Sequence, residues 1–319
     1  MSEKTRLQEL TMKLPSHIDL FICSASFEAR CMSVASVLAA SSIDEALIFS
    51  DPEISGPQGR ANAQTLLSTF NDRAKLIEVR LRESIDVADK MIGALSNIGT
   101  LKTVVVDVTT FTHESLLIFF CVARMLYSDD LRMVGVYNGA ADYSLGLERA
   151  EKWLTKGVLE IRSILGFAGE SQPTQSQHLI LLAGFELERA ERIIDAYEPA
   201  LLSIGLGAAL ESIGPNHHDV NKWFHGKLTE RYAASVKNFA FAPDDLVRTK
   251  EAILSQSRAH RGFNTVVAPM NTKISTLGAA LAALEDPTIQ ICYAVPEQYN
   301  REGYSSPSDE AYVFEIPLN

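Results

Sequence analysis

Two short stretches place hydroxyls and a basic group where a strand-like run meets a helical pattern. In the second half these are Asn271, Thr272, Lys273 and Ser275; in the first they are Thr109, Thr112, His113 and Ser115. Thr112-x-x-Ser115 and Thr272-x-x-Ser275 have the spacing of helix N-caps, and the N–H groups of a helix start attract anions. Lys273 would stabilise developing negative charge. His113 stands where Lys273 stands in the other stretch and is the residue suited to act as acid or base. Plain helix capping by Thr112, Ser115, Thr272 and Ser275 is the competing use of the same residues.

A second pair of turns accompanies the first. An apolar run ends in Ser24, Ala25, Ser26, Phe27 and Glu28, and another ends in Ala183, Gly184, Phe185 and Glu186. Arg30 and Arg189 follow at the start of the next helical pattern. Arg30 is kept as a ligand contact, whereas Arg189 is read as part of a solvated helix face with Glu188 and Glu191. His217, His218, Asp219 and His225 are grouped, but neither spacing nor ligand type suits zinc, and no metal site is expected. Gly205-x-Gly207 lacks the third glycine of a dinucleotide fingerprint, since Leu210 stands there. No nucleophile elbow, phosphate loop of the Walker type, zinc-protease helix or kinase set is present, and no cofactor is expected. The four cysteines, Cys23, Cys31, Cys121 and Cys292, show no metal-ligand spacing and read as buried thiols.

The elements that would position these turns alternate. Strand-like runs at 18–23, 46–49, 74–81, 101–108 and 132–137 are separated by helical patterns, and the alternation resumes at 179–183. Consecutive valines such as Val104, Val105 and Val106 mark a strand buried on both faces. The expected fold class is α/β, with two tandem Rossmann-like domains, each a doubly wound parallel sheet. In such sheets ligands bind at the carboxyl ends of strands, where the strand order reverses. Residues 1–16 read as a short helix, 143–164 as a charged helix, 166–177 as a linker and 311–316 as an edge strand of the second domain. This sets the domains at 1–172 and 173–319.

The two halves repeat. Phe27 and Phe185 are 158 residues apart, as are Pro57 and Pro215 in Gly56-Pro57 and Gly214-Pro215; Thr112 and Thr272 are 160 apart. Three matches in one order, at nearly constant offset, indicate internal duplication on a period too long for a solenoid. Two such halves are expected to share one ligand cleft.

The 319 residues suffice for two domains, and 46% hydrophobic with 22% charged residues is a globular composition. A net charge of −11 argues against long nucleic acid as a partner. No apolar run is long enough to span a membrane and the N-terminus carries no signal pattern, so a cytoplasmic location is expected.

The segment 266–275, Val-Val-Ala-Pro-Met-Asn271-Thr272-Lys273-Ile-Ser275, resembles the late motif of the CARF domains of CRISPR and antiphage systems. Asp107-x-Thr109 to His113 is similar, with His113 replacing the lysine. The related SAVED domains are two fused CARF-like units. The resemblance implies a sensor of a small nucleotide-type anionic ligand, such as a cyclic oligonucleotide, in a defence context and with an effector protein as partner. The contacts would come from Ser24, Ser26, Arg30, Thr109, Thr112, Asn271, Thr272, Lys273 and Ser275. An enzyme of ring-nuclease type, with His113 and Lys273 as its catalytic groups, and a protein-interaction scaffold are the alternatives.

Overall fold

The computed structural model describes residues 2–127, 130–148, 151–211, 213, 217–233 and 236–318. The Gly214-Pro215 repeat, Asp129 and Asn216 lie outside them. The chain forms two units, Met1–Ala141 with Ser305–Asn319, and Asp142–Tyr304. Among the described residues no helix is long and apolar enough to cross a membrane.

The first unit opens with β1 (Glu3–Arg6) and a turn of 3-10 helix at Leu7–Met12, in place of the expected helix. Then follow β2 (His17–Ala25), α1 (Ser33–Leu38), β3 (Ser42–Ser50), α2 (Pro52–Phe70), β4 (Ala74–Glu78) and α3 (Ser84–Leu95). The unit continues through β5 (Thr103–Asp107), α4 (His113–Leu126) and β6 (Arg132–Tyr143). The β2–β3, β2–β5, β3–β4 and β5–β6 pairs are all parallel. Side chains alternate across the sheet. Phe21, Cys23 and Ala25 join Val34, Leu38, Leu66 and Phe70 in one core, and Leu20 and Ile22 are equally buried on the other face. Both faces of β2 are therefore covered, which is why its sequence is a continuous apolar run.

The second unit contains β7 (Thr155–Ser163), β8 (Gln177–Leu182), α5 (Leu187–Tyr197), β9 (Leu201–Gly207) and α6 (His217–Arg231). It ends with β10 (Val236–Phe241), α7 (Leu246–Ala259), β11 (Asn264–Pro269), α8 (Lys273–Glu285) and β12 (Gln290–Tyr299). The last strand of the chain, β13 (Ser305–Glu315), returns to the first unit.

The sheets read β1-β13-β6-β5-β2-β3-β4 and β10-β9-β8-β11-β12-β7. Written from the same end, each has the order third-second-first-fourth-fifth of a Rossmann-like unit, with the reversal between β2 and β5 and between β8 and β11. The protein is α/β, with two parallel-dominated, doubly wound sheets. Each carries one more strand beside its fifth, and here the chain exchanges places. β7 leaves β6 and pairs with β12 of the second sheet, antiparallel; β13 leaves β12 and lies between β1 and β6 of the first.

Three expectations change accordingly. The unit boundary falls after residue 141 rather than near 172, because the strand at 155–163 belongs to the second sheet. The described residues of 143–164 are not helical: Ser144, Gly146 and Gly157 hold positive φ, which breaks a helix, and the mixed charge of β7 is that of an outer strand. Residues 311–316 are not an edge of the second unit but part of an interior strand of the first.

Candidate functional site

The Phe-Glu turns begin each unit's first crossover. After β2, Arg30 donates from Nη2 to Glu28 Oε2 at 2.6 Å and from Nη1 to the Asn138 carbonyl on β6 at 3.1 Å. Ser305 at the start of β13 accepts from Arg30 Nε at 3.0 Å and donates to Glu28 Oε2 at 2.6 Å. After β8, Arg189 bonds Glu186 and donates to the Ala294 carbonyl on β12 at 2.7 Å, while Thr155 at the start of β7 donates to Glu186. Arg30 and Arg189 are 3% and 5% exposed. A guanidinium this enclosed needs its carboxylate and carbonyl to offset lost hydration. The duplicated Glu-x-Arg and Glu-x-x-Arg are thus clamps joining the start of the first crossover, the fifth strand and the exchanged strand. The solvated reading of Arg189 is overturned, and Arg30 is committed to the same internal role.

The second pair of turns sits beside the first at each strand-order reversal. Thr112 and Thr272 accept from Ser115 N and Ser275 N, both at 3.0 Å, as N-caps of α4 and α8. In the first unit, Thr110 Oγ1 donates to the Ser24 carbonyl at 2.6 Å, and Ser26 Oγ accepts from Glu28 N at 3.3 Å. In the second, Asn271 Nδ2 donates to the Ala183 carbonyl and Thr272 Oγ1 to the Pro243 carbonyl. A Cβ on Gly184 would lie 1.9 Å from the Met270 carbonyl oxygen, so the two turns touch backbone to backbone. The structure therefore gathers Ser24, Ser26, Thr109, Thr112 and His113 at one reversal, and Asn271, Thr272, Lys273 and Ser275 at the other. Asn271, Thr272 and Ser275 have polar groups engaged within the fold. His113 and Lys273 are half-buried first residues of α4 and α8.

Beyond the shared clamp the reversals differ. Asp107 Oδ1 accepts from Thr109 N at 3.1 Å and from its hydroxyl, and Thr109 Oγ1 accepts from Asn138 N at 3.0 Å. Asp107 Oδ2 is buried with no hydrogen-bond partner among the described residues. Burial pushes the Asp107 carboxyl up to about 7, against the bonds from Thr109 and the charge of Arg30. Cys23 and Cys31 lie in its field, and burial raises both thiols, Cys31 to about 12. The second unit has none of these groups. Five and three residues before Thr112 stand Asp107 and Thr109; before Thr272 stand Val267 and Pro269. Leu181 replaces Cys23 four residues before the phenylalanine, and Ala190 replaces Cys31 after the clamp arginine. Ala294 replaces Asn138 under the same arginine contact.

The second unit instead opens a cavity of about 450 Å³ at the carboxyl ends of β9 and β10, lined by Leu206, Gly207, His218, His225, Asn238 and Phe239 among others. His218 Nδ1 donates to the Gly207 carbonyl at 3.0 Å and His225 Nε2 to the Ile204 carbonyl at 3.4 Å. A carbonyl only accepts, so these nitrogens carry the protons and leave the opposite ring nitrogens as acceptors. Burial holds His225 below the usual imidazole range. Pro243 links this cavity to α8: a Cβ on Gly207 would lie 3.0 Å from its Cγ, and its carbonyl takes the Thr272 hydroxyl. His217 turns away to the rings of Tyr143 and Phe185, at 5.2 and 5.5 Å. Gly205 lies under Phe239, so the G-x-G is a packing feature.

One cluster escaped sequence reasoning. His17, Asp19 and Asp44 bring ligand atoms within 4.8 Å of one another. They come from neighbouring strands at the amino ends of the sheet, opposite the site, and only the β2–β3 register brings them together. Asp19 is occupied there by Lys102 N and Thr103 N, both at 2.7 Å.

No family model matches the chain, and no curated protein matches it. Among solved structures it is similar to a putative methyltransferase from Pseudomonas syringae, with 13% identity over 41% of this chain and 73% of that one, at a TM-score of 0.27. It is also similar to an rRNA methylase from Streptococcus thermophilus (10%, 53% and 85%, TM-score 0.24). A short-chain dehydrogenase/reductase from Mycobacterium ulcerans gives 9%, 80% and 69%, with a TM-score of 0.26. Likeness at this level carries no functional argument, and the α/β class rests on the strand order itself.

Proposed function

We propose that the protein binds a small nucleotide-type ligand at the carboxyl ends of the second unit's strands. The observation that carries this reading is the cavity over β9 and β10, at the carboxyl end of the sheet, the end at which Rossmann-like sheets take their ligands. Its apolar wall and Phe239 suit a planar ring, and the acceptor nitrogens of His218 and His225 suit the ring's N–H groups. The first turn of α8 with Lys273, reached through Pro243 and Thr272, suits the anionic part. The motif resemblance at 266–275 supports a cyclic oligonucleotide of the antiphage type as the first ligand class to test, with the protein acting as its sensor.

The test is a thermal-shift screen against mononucleotides, dinucleotides and cyclic oligonucleotides, with mass spectrometry of each ligand afterwards. A ligand held at 100 times its Kd stabilises the fold by about 2.7 kcal/mol. The expected result is a shift that is lost in Lys273→Ala and reduced in His225→Phe, with the ligand recovered intact. Absence of a shift across the panel sinks the proposal, and a cleaved ligand replaces the sensor with an enzyme.

A further inference from the structure

A second cavity, of about 270 Å³, lies in the second unit where β7 begins beside α5 and α6. Both tryptophans of the chain, Trp153 and Trp223, line it, together with Phe185 and Phe224. Phe185 and Phe224 are buried, and both indoles are half-buried. Four carboxylates, Glu151, Glu186, Glu188 and Glu191, reach the same lining against two lysines, Lys152 and Lys156.

The charges do not cancel locally. Glu186 is held by Arg189, and Glu191 by Arg231 at 2.8 Å. Glu151 and Glu188 have no ion-pair partner among the described residues. Lys152 is engaged by Asp142 at 3.1 Å and by the carbonyls of Tyr143 and Ser144. Lys156 places its ammonium 4.3 Å from the centre of the Trp153 ring, where a cation meets the negative face of an indole. One of the two lining indoles thus already meets a positive group, supplied by the lining itself.

We infer that this cavity is a binding site for a small methylated organic cation, of the trimethylammonium class. Such a cation donates no hydrogen bonds, so ring faces and unpaired carboxylates are what it needs. A primary ammonium or guanidinium would ask for directed acceptors, and the buried carboxylate best placed to give them, Glu186, is saturated by Arg189 and Thr155. Lys156 is then a competitor whose displacement limits affinity.

The full-length protein is titrated with choline and, separately, with 3,3-dimethylbutan-1-ol, its neutral carbon isostere, following tryptophan fluorescence. Since both indoles line the cavity, the signal reports on it directly. Choline should saturate the signal, with the alcohol weaker by at least about tenfold, because shape is matched and only charge differs. Lys156→Ala should bind choline more tightly, and Trp223→Leu should lose it. Equal affinity for choline and the alcohol, or no saturable change with choline, overturns the inference; so does a Lys156→Ala variant that binds choline more weakly.

Discussion

Asp107 is a residue whose chemistry the fold alters strongly, and its behaviour can be measured without knowing the ligand. It ends β5 fully buried, with one oxygen held by Thr109 and the other without a partner among the described residues. Burial raises its carboxyl to about 7. An acid raised on folding stabilises fully below its unfolded value, near 3.9, and loses that stabilisation as pH climbs to the folded value. Stability from this group should therefore fall between about pH 4 and pH 7, by up to about 1.4 kcal/mol per pH unit. Asp107→Asn keeps the shape and removes the titration. The stability of the parent relative to Asp107→Asn, from urea unfolding, should drop across that window; parallel curves would show that Asp107 stays ionised in the folded protein. Asp107 and Thr109 were legible as a motif, because their two-residue spacing is visible in the chain. The clamps were not. Arg30 read as a ligand contact and Arg189 as an ordinary charge on a helix face, since nothing local shows that a carbonyl of the fifth strand will enclose the guanidinium.

At the scale of elements, the parallel strands were legible because burial on both faces leaves an unbroken apolar run, as in β2, β5 and β8. The helix starts at α4 and α8 were legible because a threonine cap followed by Ser115 or Ser275 is a local signal. β7 and β13 were misread, since outer or exchanged strands carry mixed charge and prolines, and their pairing partners lie more than a hundred residues away. The closure of the second reversal was also invisible, because Gly184 matters only through its contact with Met270. Gly184→Ala would force the turns after β8 and β11 apart, since the backbone oxygen at 1.9 Å cannot rotate away. A loss of about 1–3 kcal/mol or more is expected from urea unfolding. Ser26, at the matching place in the first unit, already carries a Cβ, so Ser26→Ala should cost about 1 kcal/mol or less. Equal losses at the two positions would mean that the close approach after β8 is not what keeps this residue a glycine.

For the whole molecule, the repeat at constant offset was legible and the exchange of strands was not, because similarity marks which segments correspond and not which sheet each one joins. The exchange decides what folds alone. Residues 142–304 contain all six strands of the second sheet, including β7, the partner of β12. Residues 1–172 contain six strands of the first sheet but lack β13, which lies between β1 and β6 and supplies Ser305 to the Glu28–Arg30 clamp. They also carry β7 with no β12 to pair it, an open strand of the kind that promotes aggregation. A cut at the position suggested by composition thus damages the first unit, and it takes from the second the Thr155 hydroxyl that holds Glu186. The expected outcome is that 142–304 melts cooperatively by circular dichroism, whereas 1–172 shows no cooperative transition. Restoring 305–319 to residues 1–141 through a flexible linker should return that transition, because it replaces the missing neighbour of β6 and buries Ala311 and Val313 in the core they share with Val134 and Val136. If 1–172 melts as sharply as the linked form, β13 contributes nothing the first sheet needs, and the strand exchange is a feature of connectivity alone.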